Sequence, residues 1–500
     1  MASTIEDAFM EDIIADPDDD APRLIYADWL DDHGQEARAE FIRVQIELER
    51  IGEDDERSDA LWQRERELFA EHGNKWLGDS REGWLGGTFP DLKSAFERGF
   101  LENVTLSPSA LIDNAVALYR LGPLSCVAFE SDKRGFERLG QSEYAGRLNQ
   151  IYFGHSATWN EIAPLLLSEY LTSLGYLELR DVPIGSNALT RLLAAPVAKS
   201  LRGLDISSAG LTATGAEQIA NCSSLAGLRS LVLFRNEIGP LGAQFLAGSR
   251  HLEKVEMLDL SSNRITPPGV RALAGTSRLP ALTELHLGGN PLGNEGAEAI
   301  ATSKTLPPLT RLGLAHIDLG RTGLSSLASS SALVNLQCLD LSDNQLGNDA
   351  MGILAGATPP TALHELYLGR SDIDDGGAKA LASWRGLAEL RVLDLDKNRL
   401  SAFGLKEILS SPHLGPLTEL NLKGNHLRDL GAQVLARWPG LARLRSLVIS
   451  DNDIADDGLL ALLRSEHFGT PKEIYLDEDD LDAATEHLLS EMRQQGRILA

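Results

Sequence analysis

The sequence predicts an α/β protein in which a curved solenoid of strand–helix units, with its parallel β-sheet concave and its helices convex, follows a small α-helical domain. Three observations predict this class. A 27-residue repeat runs without insertion or deletion from Leu174 to the C-terminal part of the chain. Each repeat joins a strand pattern to a helix pattern, whereas residues 1–75 show helical periodicity alone. A fixed period of this kind indicates one supersecondary unit stacked many times, each burying its apolar face against its neighbours.

Residues 228–254 show the repeat in its regular form, LRSLVLFRNEIGPLGAQFLAGSRHLEK. Its leucines alternate as in a strand with one buried face, and Asn236 follows where the chain turns. Gly242-Ala243 and Leu246-Ala247 fit a helix that lies against the sheet, because small residues allow close approach. The leucines, asparagines and Gly-Ala pairs are therefore expected to maintain the stack. Regular copies begin at Leu228, Val255, Leu282, Leu336, Leu390, Leu417 and Leu444.

The ends of the array are predicted where its pattern weakens. Looser strand patterns begin at Leu101, so about fifteen strands are expected over residues 101–490. Residues 76–100 are rich in Gly and Trp, which predicts a linker and N-terminal cap whose Trp76, Trp84 and Phe89 pack on the first repeat. Residues 491–500 are expected to be a C-terminal tail. Capped ends leave no open edge to pair, so we expect a monomer before partner binding.

Residues 1–75 are predicted to form a helical domain. Asp16, Asp18 and Asp20 have the alternate spacing that begins a calcium loop, but the turn glycine and the bidentate glutamate of such a loop are missing. We therefore expect these carboxylates to cap a helix N-terminus. Arg23, Asp28 and Arg43 are expected to form an internal ion-pair set or to mark a docking face. The four predicted helices run from about Thr4 to Ala15, Asp20 to Gly34, Glu36 to Ile51 and Asp59 to His72.

Two stretches resemble known families. The strings DPDDDAPRLIYADWLDDHG and RAEFIRVQIELER are similar to the bacterial repeat-companion domain, a short module found ahead of leucine-rich and other repeats. This resemblance covers about residues 5–50, extends to the junction-like Phe96-Glu97-Arg98-Gly99-Phe100, and implies no activity for the module. The array at residues 101–490, with its LxxLxLxxNxL and GAxxLA motifs, resembles the ribonuclease-inhibitor type of leucine-rich repeat, although every regular unit here has a uniform 27 residues.

The second resemblance implies that partner proteins bind on the concave face and rim of the solenoid. Two functions follow from it. The first is a non-enzymatic interaction scaffold or adaptor, and the second is a regulator or inhibitor of a basic partner enzyme. A third alternative is an undescribed catalytic or metal-binding activity in the N-terminal domain.

Composition limits the remaining classes. The formal net charge of −27 argues against nucleic acid and anionic membrane, which are bound through Lys and Arg, and it permits a basic partner protein or serves solubility alone. Three scattered cysteines predict neither a disulfide framework nor a zinc site. The acidic start and the lack of an apolar run of about 18 residues predict a soluble cytoplasmic protein. No catalytic motif is present, so we predict no enzymatic activity, catalytic residue, metal or cofactor.

Departures from the repeat pattern give the candidate site. Alternate strand residues face away from the core, and aromatic and basic residues there are the types that build interface hot spots. Aspartates of the LDLS pattern are regular members of the repeat and make the same wall acidic, while Ile317, Ser371 and Ala209 replace an asparagine and interrupt the ladder. His286 and His316 could share a ligand. The predicted partner-binding residues are Tyr176, Arg180, Phe234, Arg235, His286, Arg311, His316, Tyr367, Arg370, Asp259, Asp340 and Asp394.

Overall fold

The computed structural model of the protein describes residues 5–51, 55, 57–77, 95–154, 157–469, 473–478 and 481–498. The chain divides into two compact units. Unit 1 comprises residues 1–209 and 223–228, and unit 2 comprises residues 210–222 and 229–500. The predicted contacts of Trp84 and Phe89 lie outside the described residues.

Unit 1 begins with four helices, which confirms the predicted helical N-terminal region. Asp19 is the N-cap of the second helix, because its side chain accepts a hydrogen bond from the Ala21 amide at 2.9 Å. The core of these helices includes Ile13, Leu30 and Ile42, each fully buried. The helices are α1 Ile5–Ala15, α2 Asp20–Asp32, α3 Glu36–Ile51 and α4 Ser58–Leu77.

The ion pairs of the helical region differ in part from the prediction. Arg43 pairs with Asp28 as expected, at 2.7 Å, and also with Asp31. Arg23 does not join them, and the predicted three-residue set is wrong in this respect. The Arg23 side chain is fully buried on the opposite face of α2, where it pairs with Glu102 at 2.6 Å and donates to the Pro17 carbonyl at 2.8 Å. Burial removes Arg23 from the surface where a docking face could use it.

A short antiparallel hairpin, β1 Phe96–Glu97 and β2 Phe100–Leu101, joins the helices to the repeats. Its turn residue Gly99 has a φ of 89°, and a side chain there would place Cβ 2.3 Å from Ile42 Cγ1. The Gly99 amide donates to Gln45 Oε1 at 2.6 Å. Only glycine fits this turn, because the conformation is left-handed and α3 lies directly against it.

Fifteen parallel strands, β3–β17, follow in chain order within the described residues and alternate with helices, as the repeat count predicts. Those of unit 1 are β3 Asn103–Leu106, α5 Pro108–Leu118, β4 Cys126–Phe129, α6 Lys133–Leu139, β5 Gln150–Phe153, α7 Trp159–Leu166, β6 Tyr176–Glu178, α8 Gly185–Ala194 and β7 Gly203–Asp205. Those of unit 2 are α9 Ala213–Ala220, β8 Ser230–Val232, α10 Gly239–Gly248, β9 Met257–Asp259, α11 Pro267–Ala274, β10 Glu284–His286, α12 Gly293–Ala301, β11 Arg311–Gly313, α13 Arg321–Ala328, β12 Cys338–Asp340, α14 Gly347–Gly356, β13 Glu365–Tyr367, α15 Asp375–Ala382, β14 Val392–Asp394, α16 Ala402–Leu409, β15 Glu419–Asn421, α17 Arg428–Ala436, β16 Ser446–Val448, α18 Asp456–Leu463, β17 Glu473–Tyr475 and α19 Ala483–Gln494.

The alternation of the repeat decides which side chains are buried. In β8, Leu231 is fully buried while Ser230 and Val232 on either side are half-buried. Neighbouring strands pair in register, so that Leu231 lies beside Leu258 of β9. On the helical side Gly242 is required, because an added Cβ would lie 2.5 Å from Ile238 Cγ2. These contacts give the leucine-rich-repeat solenoid that the sequence predicts.

Inward asparagine side chains hold successive turns together. Asn290 Oδ1 accepts hydrogen bonds from the amides of Asn263 and Ile265, at 2.9 and 2.8 Å. Its Nδ2 donates to the carbonyls of Leu260 and Leu287, both at 2.9 Å. One buried amide therefore satisfies four backbone groups in two adjacent repeats, which would otherwise be buried without partners.

The predicted interruptions of this ladder are partial. Ile317 replaces an asparagine, but its own amide still donates to Asn344 Oδ1 of the next repeat at 3.1 Å. Ser371 does the same with Asn398 at 3.1 Å, and its hydroxyl donates to the Gly369 carbonyl at 3.2 Å. At each of these two positions, the hydrogen bonds that an asparagine side chain would make are lost. The backbone amide still donates to the asparagine of the next repeat.

We expect Asn290→Ala to lower the free energy of unfolding by about 3 kcal/mol, because it leaves several buried backbone groups without partners. Urea denaturation followed by circular dichroism would measure the loss. Asn335→Ala is the matched control, since Asn335 is exposed and its replacement should change stability by less than about 0.5 kcal/mol. Equal losses in the two variants would contradict the role given to the ladder.

Candidate functional site

The candidate site lies on the open face of the strands, defined as the first and third residue of each three-residue strand. These side chains point away from the buried leucines and most are half-buried, as for Glu284 and His286 around buried Leu285. The third-residue column includes His286, Tyr367, Asp259, Asp340 and Asp394, as the alternation predicts. The open face is described below separately for each unit.

In unit 2, five residues of the open face form one connected group, here called the Arg311 network. The Arg311 guanidinium donates two hydrogen bonds to the Glu365 carboxylate, both at 2.8 Å. Its Nε lies 3.4 Å from Glu284 Oε1, which in turn lies 2.6 Å from His286 Nε2. The Tyr367 hydroxyl donates to Glu365 Oε2 at 3.2 Å. Three predicted residues, His286, Arg311 and Tyr367, are thus brought together by two glutamates.

Strand register explains this grouping. Glu284 pairs laterally with Arg311, and Arg311 with Cys338, whose next neighbour is Glu365. Arg311 therefore reaches past one strand to its carboxylate partner. The neighbouring strand leaves space for the imidazole, because a Cβ on Gly313 would lie 2.6 Å from His286 Nδ1.

The charges of the network stabilise one another. Hydrogen bonds from Arg311 lower the pKa of Glu365, against the effect of its partial burial. The hydrogen bond to His286 lowers the pKa of Glu284 in the same way. Burial alone would lower the pKa of His286, but the hydrogen bond and the charge of Glu284 outweigh it and raise that pKa. The charged forms of Glu284 and Glu365 are therefore stabilised, and His286 is more readily protonated than a free imidazole.

In unit 1, Tyr176 and Arg180 form a second group. Tyr176 stacks on Tyr152 of the neighbouring strand, with ring centroids 5.6 Å apart. Arg180 donates to Asp205 at 3.2 Å and lies 3.8 Å from Glu178. The arrangement orders Tyr176 on the open face of this unit and Arg180 two residues after the same strand.

Three other predicted residues lie at the strand exits. Arg235, His316 and Arg370 occupy equivalent positions and have left-handed φ values of 52°, 52° and 53°. Their amides donate to carbonyls of the next repeat, at 3.0, 2.9 and 2.8 Å. Glycine holds the same position in other repeats, as at Gly289 with a φ of 67°. The backbone thus fixes these side chains at the rim, where all three are exposed, while the adjacent Phe234 is half-buried.

Aspartates of the third-residue column have a structural use. Asp259, Asp340 and Asp394 each accept a hydrogen bond from the backbone amide two residues ahead, at 2.8, 2.9 and 2.8 Å. This bond turns the chain out of the strand, as short Asp side chains commonly do. The aspartates are regular parts of the repeat that also place carboxylates on the open face.

Glu284 and Glu365 are not among the site residues that the sequence predicts. The signal was available, because both occupy the first strand position, which alternation places on the same face as the third. The sequence leaves open that His286 and His316 share a ligand, but each faces its own carboxylate, Glu284 at 2.6 Å and Asp343 at 3.4 Å. The histidines do not form a pair.

Among the described residues, no group of three or more His, Cys, Asp or Glu side chains could hold a metal ion. Burial raises the pKa of Cys338 to about 12, so its thiol is protonated at neutral pH and is a poor nucleophile. No helix in the described ranges is long and apolar enough to cross a membrane.

We expect the pKa of His286 to lie above about 6.5 and to fall in Glu284→Gln, which removes the partner carboxylate. Because the folded-state pKa is raised, the stability that His286 contributes is present below about pH 6.5 and is lost as the pH rises through that folded-state value. NMR titration of the imidazole would measure both effects. Glu256→Gln is the control, since Glu256 pairs with Arg229. An unchanged His286 titration in Glu284→Gln would contradict the assigned pairing.

Comparison with known proteins agrees with the repeat structure. A family model described as leucine-rich repeat matches seven segments, residues 228–247, 251–274, 279–301, 332–352, 361–382, 416–436 and 443–463. The search of curated proteins gave no match to this chain.

Solved structures that resemble the chain are distant in sequence. An internalin from Listeria monocytogenes is 17% identical, with 71% of this chain and 81% of that chain covered and a TM-score of 0.34. A chain from the yeast Rad7–Elc1 complex is 14% identical, with 80% and 93% covered and a TM-score of 0.46. A TDR receptor is 16% identical, with 69% and 58% covered and a TM-score of 0.34. The strand–helix units described above and the seven matched segments together make the fold a leucine-rich-repeat solenoid.

Proposed function

We propose that the protein is a non-enzymatic scaffold or adaptor that binds a partner protein on the open face and rim of the solenoid. The observation that carries this proposal is the Arg311 network. Its aromatic and basic side chains are half-buried and held by ion pairs before any partner arrives. Side chains that are already ordered lose less conformational entropy on binding, so they are suited to an interface.

The residue types support a protein partner. Tyr and Arg are enriched among residues whose truncation weakens interfaces, and Tyr367 and Arg311 lie within one connected group. Phe234, Arg235 and Arg370 add aromatic and basic groups at the rim of the same unit. The binding surface that we propose in unit 2 therefore runs along the strands from Phe234 to Arg370.

Several further properties belong to the same proposal. We propose that the chain is a bacterial, cytoplasmic protein and a monomer before partner binding. Residues 1–75 would be the repeat-companion domain, residues 76–100 the linker and cap, and residues 101–490 repeats of the ribonuclease-inhibitor-like type. The sequence resemblances and the net charge of −27 support these assignments.

The test compares proteins captured from a native lysate by three forms of the full chain. In the open-face variant, alanine replaces Phe234, Arg235, Tyr367 and Arg370. In the control variant, alanine replaces four exposed helical residues, Leu241, Arg271, Arg321 and Leu430. We expect at least one protein to be retained by the wild type and the control and lost by the open-face variant, as identified by mass spectrometry. Identical captured proteins in all three would contradict the proposed surface.

Regulation of a basic enzyme is the second candidate function. It is favoured by the half-buried carboxylates of Asp259, Asp340 and Asp394 on the open face. Each uses one oxygen for the turn, while its charge remains available to a cationic partner.

If the partner is basic, its affinity for this protein should fall at least about tenfold between 50 and 500 mM salt, because the Debye length over which exposed charges interact shortens from about 14 Å to about 4 Å in this range. Calorimetry with the captured partner would measure this change. An affinity that is independent of salt would contradict the inhibitor function and would leave the scaffold function intact.

A further inference from the structure

A cleft of about 410 Å³ lies in unit 1, where the helical region meets the first repeat. Tyr26, Trp76 and Phe100 contribute aromatic surface to it, and Arg38, Lys75 and Arg120 contribute positive charge. The volume is in the range of small-molecule sites. It is here called the Arg38 cleft.

Arg38 is held by aromatic rings in place of a carboxylate. Its guanidinium carbon lies 4.8 Å from the Trp76 ring centroid, 5.3 Å from that of Phe96 and 5.6 Å from that of Phe100. The Nη1 atom is buried and has no hydrogen-bond partner among the described residues. Burial lowers the Arg38 pKa to about 10, so the group is still a cation at neutral pH. Cation–π contacts of this kind offset only part of the cost of removing a cation from water.

Nearby arginines show that this arrangement is unusual for the region. Arg23 pairs with Glu102 at 2.6 Å, and Arg98 lies 3.6 Å from the same carboxylate. Both of these guanidinium groups therefore have a carboxylate partner. Arg38 lacks a carboxylate partner in the part of the chain that the structure describes. Unlike the charges of Arg23 and Arg98, its charge is therefore not neutralised by an ion pair there.

The rest of the cleft adds to the positive charge. Lys75 is exposed and forms no ion pair with any described residue. Arg120 pairs with Asp7 at 3.0 Å, and His72 lies 3.7 Å from Glu71. Glu36 also lines the cleft and is the one acidic residue that does so among the described residues. The side chains that line the cleft thus carry a net positive charge, although the chain as a whole has a net charge of −27.

We propose that the Arg38 cleft binds a small oxyanion, a phosphate or carboxylate group carried on an apolar or aromatic molecule. The anionic group accepts hydrogen bonds from Arg38 and Lys75. Its negative charge is the counter-charge that each of these side chains lacks. The apolar part lies against Trp76 and Tyr26. Charge-assisted hydrogen bonds from a guanidinium suit the planar carboxylate and the phosphate alike.

The test is calorimetric titration of the full chain, at fixed ionic strength, with inorganic phosphate, phenyl phosphate and benzoate. We expect saturable binding of phenyl phosphate or benzoate with a Kd of about 1 mM or lower, and weaker binding of inorganic phosphate, which lacks the ring. The tighter of the two aromatic probes identifies the anionic group. Trp76→Ala should reduce the advantage of the aromatic probe over inorganic phosphate.

Lys75→Met is the decisive variant, because Lys75 is exposed and its replacement leaves the core intact, whereas replacement of Arg38 risks unfolding. We expect it to raise the Kd about tenfold. Lys406→Met is the matched control, since Lys406 is an exposed lysine on α16 that forms no ion pair with a described residue. Absence of saturable binding of all three probes below about 10 mM, or equal affinities in the two lysine variants, would overturn the proposal.

Discussion

Satisfaction of buried backbone groups at each turn is the constraint on which the repeats depend. Where an asparagine follows a strand, the chain turns and its backbone amides and carbonyls are buried away from water. Asn290 shows the solution, with four hydrogen bonds from one side chain to backbone groups on two repeats. Each repeat thus needs the next one, and the spacing of 27 residues is kept because an insertion would move the asparagine out of reach.

Because the leucines and asparagines of each repeat are buried, the core places few constraints on the residues of the open face. The leucines and asparagines carry stability, so the first strand residues can vary without loss of the stack, whereas third-position aspartates such as Asp259 also form the turn. Arg311 and Glu365 use that freedom to form a bidentate pair across an intervening strand. The conformations of these two side chains are fixed by contacts within the open face itself. Such contacts can therefore differ from one repeat to the next. An interface built on such residues can be specific without any change to the fold.

The junction of the helical region with the repeats has different physics. Glu102 is buried and lies 2.6 Å from Arg23 and 3.6 Å from Arg98, which also lies 3.4 Å from Glu49. Burial raises the pKa of Glu102 against the opposing effect of these charges, and loss of either partner would leave a buried charge unbalanced. Arg38 of α3 contacts aromatic rings and has no carboxylate partner among the described residues. The same junction therefore contains a buried ion pair between Arg23 and Glu102 and a cation, Arg38, that has no carboxylate partner among the described residues.

The sequence by itself determined the helical region, the strand count, the inward asparagines and the face on which each strand residue lies, because these follow from helical periodicity in residues 1–75 and from the repeat pattern after them. Tertiary structure decided which side chains meet. Glu284 and Glu365 became partners of Arg311 through strand register, at separations of one and two repeats, which no local pattern encodes. Arg23 was expected beside Asp28 and is buried against Glu102 instead, because the packing of α2 on the first repeat selects its partner. Periodicity determines the face of the strand on which a side chain lies. Which other side chains it contacts depends on how neighbouring elements are packed.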